Sequence, residues 1–181
     1  MNTGQSMLTI LAMVLLTVTI INVNRNNLTT STVLDQNRID ILAISLATSI
    51  IEDATSLAFD EKTIAAAVAS SSSLTAAASL GIDGTETAAK PNLFDDFDDY
   101  GCYVATPKKD TIAVPGSTAS VIFWTLCQVD YVNPGNPNTV SASPTYHKRI
   151  KLRIFRPGMN DAAGKTDTIK MTSVYSYWYF R

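Results

Sequence analysis

The sequence predicts an α+β chain: a long, protruding N-terminal helix packed by its C-terminal half on a small antiparallel β-sheet. Three observations carry this. Residues Gln5 to Ala58 contain neither Pro nor Gly. Within them a run that is apolar all round passes into one whose apolar residues recur at helical spacing. After Gly101 the hydrophobic period changes to two, and Pro, Gly and Asn clusters separate the runs.

The helix comes first. Met7 to Val23 carries no charge, and Arg25 is the only charged side chain from Met1 to Leu34. Seventeen residues at 1.5 Å each cover about 25 Å, the short end of what spans a bilayer. A secretory signal would have a basic start and a small-x-small cleavage site. Met1 to Ser6 has no Lys or Arg, and Asn24-Arg25-Asn26-Asn27 follows the run. A membrane anchor fits better, as does a helix that buries itself among other copies. From Leu34 onward Ile41, Ile44, Ala47, Ile50, Ile51, Ala54 and Leu57 mark one apolar stripe. One helix of about 54 residues, roughly 80 Å long, accounts for both halves. Asn22 to Asn27 is its expected thin point, because Asn is a poor helix former.

Glu61 to Leu80 is Ala-rich and then Ser-rich, and is expected to be a surface helix fraying into a loop. Gly81 to Pro91 is loop by composition. Phe94, Phe97 and Tyr100 recur every third residue. Between them stand Asp95, Asp96, Asp98 and Asp99. One side of this turn is expected to pack, with the carboxylates facing solvent or basic strands. A hard cation such as Ca²⁺ is a second expectation for the four aspartates, although they lack the spacing of a helix-loop-helix calcium site.

The expected strands are Cys102 to Thr106, Thr118 to Val132, Tyr146 to Arg156 and Asp167 to Phe180, joined as an antiparallel meander. In the third, Ile150, Leu152 and Ile154 face inward, and His147, Arg149, Lys151 and Arg153 outward. In the fourth, Ile169, Met171, Tyr175, Tyr177 and Tyr179 share a face. The basic stripe is expected to meet the acidic segment of this chain or a neighbour. Trp124, Trp178 and the C-terminal tyrosines are expected to pack, with adhesion as the alternative. Cys102 and Cys127 are the two cysteines. In an exported chain they are expected to form a disulfide, closing a loop of about 25 residues and adding about 3 kcal/mol.

The remaining function classes are bounded by composition. A net charge of −2 gives no general attraction to nucleic acid. The one histidine, His147, has no placed nucleophile or carboxylate. There is no Cys-x-x-Cys, no phosphate-binding glycine loop and no histidine metal motif. No enzymatic activity and no resident cofactor are expected.

Gly4-Gln5-Ser6-Met7-Leu8, the apolar run and the amphipathic helix together resemble the N-terminus of type IV pilins and pilin-like proteins. The segment Phe94-Asp95-Asp96-Phe97-Asp98-Asp99-Tyr100-Gly101 is similar to the Asp-Asp-x-Asp-Asp-aromatic-x-Gly element of minor pilins of the mannose-sensitive haemagglutinin type, and Lys-Arg-Ile-Lys-Leu-Arg-Ile at 148–154 followed by a last strand resembles the closing hairpin of minor pilins. The resemblance implies a leader, residues 1–4, cut between Gly4 and Gln5 by a prepilin peptidase, and a methylated new N-terminus. It implies an apolar half-helix over 5–32, an amphipathic half over 33–60 and a head over 61–181. Met7, Leu8, Ile10, Leu11, Met13, Val14, Leu15 and Leu16 would sit in the inner membrane before assembly. They would then line the core of an extracellular filament of copies of this chain or related subunits. Thr9 stands where the family usually has a glutamate that neutralises the next subunit's amine, which favours a minor subunit. A pseudopilin of a secretion machine and a singly anchored envelope protein with a binding head are the alternatives.

Overall fold

A computed structural model describes residues 3–116, 118–156 and 168–177. The chain divides into two compact units, Met1–Ile41 and Leu42–Arg181. Helix α1 runs Thr3–Ser56, 54 residues, without a break at the asparagines. Threonine hydroxyls along it donate to carbonyls one turn back: Thr9 to Ser6 O at 2.8 Å, Thr17 to Met13 O at 2.8 Å, and Thr19 to Leu15 O. Thr29 and Thr30 do the same to Arg25 O and Asn26 O at 2.9 Å each. A hydroxyl satisfied by its own helix costs little to remove from water. The expected thinning at Asn22 to Asn27 is therefore corrected: the helix continues through that stretch.

In the second unit, α1 buries Ala43, Ala47, Ile50 and Ala54. The spacing of four, three and four, and small side chains at three of the four positions, let the helix lie close on what it covers. The sheet it contacts has five antiparallel strands: β1 Lys108–Ala113, β2 Ser120–Asn133, β3 Asn136–Val140, β4 His147–Phe155 and β5 Ile169–Ser176. The order is β1-β2-β4-β5, with β3 folded back on the end of β2. The architecture is thus the α+β one expected from the sequence, a helix on an antiparallel meander. Two short strands, β1 and β3, were not expected. Pro115-Gly116 turns the chain between β1 and β2, with Gly116 at φ 77°, a conformation side chains resist.

Three expectations are corrected. The strand over Cys102 to Thr106 is instead the last part of a 3₁₀ segment, Asp98–Val104. The Ala-rich helix over Glu61 to Leu80 is one turn, α2 Glu61–Ile64, followed by short 3₁₀ turns at Ser71–Ser73 and Ala77–Ser79. Tertiary partners override helix propensity there. Tyr177 Oη accepts from Val68 N at 3.0 Å, while Tyr146 and Tyr131 hydroxyls donate to Ala69 O and Thr75 O at 2.9 Å each. Backbone groups satisfied by the sheet's tyrosines have no need of a helix. Thirdly, Arg149 does not face solvent. It is 3 % exposed, and donates to Pro137 O at 2.7 Å and Asp130 Oδ2 at 3.4 Å.

The sheet's inner face forms the core with Phe123, Cys127, Tyr131, Ile150, Leu152 and Ile154, all buried. Phe59 and Phe97 close over Tyr175 at 5.6 and 5.1 Å between ring centroids. Each such side chain contributes about 1.5–3 kcal/mol. Cys102 and Cys127 are free thiols, against the expected disulfide. Cys102 is half-buried on the 3₁₀ segment and Cys127 is buried on β2. Burial raises both thiols, Cys102 to about 11, and suppresses the thiolate that disulfide formation needs.

Candidate functional site

Two features stand out: the bare apolar stretch of α1, and a carboxylate cluster in the head. In the first unit Met7, Leu8, Ile10, Leu11, Met13, Val14, Leu15 and Leu16 are all 55–75 % exposed. The most apolar 18-residue window has mean hydropathy 2.2 and none of it is buried. By length and composition α1 can cross a membrane. Gly4 and Gln5 lie in its first turn, exposed. Thr9, in addition to Ser6 O, reaches Gln5 O at 3.2 Å, so its hydroxyl points along the helix and presents no charge.

The cluster is built around Lys148. The alternation of β4 that turns Ile150 and Leu152 inward also turns Lys148 inward, where it is fully buried. Its Nζ donates to Phe59 O at 2.7 Å, to Asp60 Oδ2 at 2.9 Å and to Asp98 Oδ1. It also lies over the Phe59 ring at 4.7 Å and the Tyr131 ring at 5.3 Å. Asp60 caps α2, accepting from Lys62 N at 3.1 Å, and also accepts from Thr75 Oγ1 at 2.9 Å and Tyr131 Oη at 2.8 Å. Burial pushes the Asp60 carboxyl up. The Lys148 charge and the hydrogen bonds outweigh it and hold the carboxyl below the usual range.

The four aspartates expected to act together do not. Asp98 serves Lys148, with a further bond from Gly81 N at 3.0 Å. Asp96 turns back on its own segment, accepting from Asp98 N at 2.8 Å and Asp99 N at 3.3 Å. Asp99 accepts from Asp95 N and Asp96 N at 3.1 Å each. These three are buried and only Asp95 is exposed, so the expected solvent-facing row is corrected. Phe94, Phe97 and Tyr100 are buried as expected. The segment is held to the end of α1 by Ala58 N to Asp95 O at 3.2 Å and Phe97 N to Ala58 O at 2.9 Å.

Asp95 and Asp99 instead approach Glu86, with one oxygen from each of the three within 4.8 Å of the others. Glu86 Oε1 is buried there without a hydrogen bond. Burial raises Asp99 to about 7; Glu86 raises it further and the amide bonds oppose both. Burial and then the Asp98 charge raise Asp96 to about 8. Three carboxylates offer six oxygens at most, and Asp99 already spends one of its own on two amides, so a calcium shell of six to eight would need further oxygens.

Sequence reasoning missed Asp60, Glu86 and Lys148. Lys148 had a signal: it shares the phase of Ile150, Leu152 and Ile154, so an inward cation had to find a carboxylate. Asp60 ahead of Glu61-Lys62-Thr63 is a helix-cap pattern. Glu86 had none, being brought in by a loop. His147 Nδ1 meets Ser176 Oγ at 2.7 Å, half-buried, and neither touches the cluster. Trp124 is half-buried on the sheet; Trp178 and Tyr179 lie outside the described residues. Comparison with protein-family models, curated proteins and solved structures found no match to this chain.

Proposed function

We propose that this chain is a structural subunit of a type IV pilus-like filament. It would be anchored in the membrane by the apolar part of α1 and polymerise through the same surface. The observation that carries the reading is the stretch from Met7 to Val23. It is apolar on every side, uncharged and uncovered. Large apolar side chains of 48–75 % exposure from Met7 to Val23 have no stable place in water. Lipid first and neighbouring copies afterwards supply one. Self-bonded Thr9, Thr17 and Thr19 make either environment tolerable. The head, by contrast, presents a buried ion-pair network and no convergent nucleophile among the described residues, which suits a structural role. Thr9 in place of a carboxylate suits a minor or initiating subunit.

The test is to express the chain with a pilus export apparatus, shear the cells and image the sheared fraction. Recovery as polymer, with Gln5 as a methylated first residue by mass spectrometry, is the expected result. A chain that stays with the membrane with Met1 intact is a single-span anchored protein, and the filament reading fails.

A further inference from the structure

The charge of the head is sorted by side. On β4, residues of odd number point away from the face that receives Asp60 and Asp98. Lys151 and Arg153 stand on this outer face. Lys170 of β5 is directly opposite Arg153, and Lys109 of β1 is opposite Trp124. Like charges facing each other across a ladder destabilise it. The nearby carboxylate, Asp130, is engaged by Arg149 and lies 3.7 Å from Lys151. Among the described residues none reaches Arg153, Lys170 or Lys109. A groove of about 450 Å³ lies between Leu126, Lys151, Arg153, Lys170 and Thr172, with Val104 of the 3₁₀ segment at its edge.

The opposite excess lies on the layer that covers the inner face. Glu61, Asp83, Glu86 and Asp95 form a rim there. Burial and then their mutual repulsion raise Glu61 and Asp95, and Lys62 is the cation acting against this on Glu61. Among the described residues no ion pair joins the two surfaces within one chain.

We propose that the outer sheet face, through Lys151, Arg153 and Lys170, docks on the Asp83–Glu86–Asp95 rim of a second copy of this chain. One contact answers both excesses. Complementary patches on opposite sides of one unit make a heterologous contact, which repeats head to tail rather than closing as a two-fold dimer. This deepens the filament reading, on which it rests: the helix supplies affinity and the heads set register.

Full-length chain in detergent, half of it ¹⁵N-labelled, is treated with a carbodiimide that joins touching amines and carboxylates. Links between Lys151 or Lys170 of one isotope and Asp83, Glu86 or Asp95 of the other are expected. K151E/R153E/K170E alone removes the amines that form them, and D83K/D95K alone lowers them about tenfold or more, since like charges now meet. Mixing the two variants restores mixed-isotope links, which a misfolded head would not do. Absence of mixed links, or links indifferent to reversal, overturns the proposal. So does heparin binding by this face without mixed links, which assigns it to a polyanion. Mixed links in a chain that never enters the sheared fraction keep the contact and remove the filament; a sheared polymer without them does the reverse.

Discussion

Replacing Lys148 with methionine keeps the volume and removes the charge. Asp60 and Asp98 then stay buried with no cation, Asp60 being 0 % and Asp98 2 % exposed. Phe59 O loses a donor as well. Breaking a buried pair by deleting one partner costs about 3–5 kcal/mol. The unit concerned spans residues 42–181. Its unfolding entropy is about 0.3 kcal/mol/K, so K148M lowers its melting temperature by about 10–17 °C. The deficit depends on pH. In the parent, Asp60 sits below its ordinary value, so its share of stability is present above about pH 4 and fades as pH falls through the lowered value. In K148M the Asp60 carboxyl loses the Lys148 charge and is left to the burial that raises it, so the variant gains as pH falls from 7 to 4. The gap narrows with acid. Thermal unfolding of the full chain in detergent, followed by circular dichroism from pH 4 to 8, reads both effects. The triple variant D60N/D98N/K148M should recover much of the loss. A K148M melting temperature within 3 °C of the parent, or a gap that does not change with pH, would show that the network contributes nothing here.

Asp96 and Asp99 bind protons in the folded chain up to about pH 8 and 7, where the unfolded chain has released them. Stability of the parent should therefore fall as pH rises from 4 to 8, measured by urea unfolding, and a flat profile would refute the raised values. E86Q removes one of the charges that raise Asp99, and should stabilise by about 1 kcal/mol at pH 8 and by nothing measurable at pH 5. Cys102 and Cys127 should both react with iodoacetamide after denaturation without reductant; loss of two thiols would restore the disulfide. L15R places a charge at 62 % exposure in the apolar stretch and costs about 2.5–3.5 kcal/mol on insertion. It should deplete the membrane fraction while leaving the head's melting temperature within 2 °C, since Leu15 lies outside that unit.

The long helix was legible because nothing in Gln5 to Ala58 can break it and its periodicity is local. The sheet was legible in β2, β4 and β5 for the same reason: alternation such as Ile150-Lys151-Leu152-Arg153-Ile154 is a property of neighbours in sequence. The same alternation carried Lys148 inward, but its partners lie 88 and 50 residues away, and no spacing rule connects residues so far apart. Glu86 joined Asp95 and Asp99 only because a loop placed it there. The Ala-rich segment misled for a related reason. Helix propensity is worth a few tenths of a kcal/mol per residue, and hydrogen bonds with the hydroxyls of Tyr131, Tyr146 and Tyr177 outweigh it. Sequence alone therefore determined which stretches are helical or alternating, and that one stretch is too apolar for water. Tertiary structure decided where each charge went. Burial forces every ionised group to find a partner in space, and that partner need not be near in the chain.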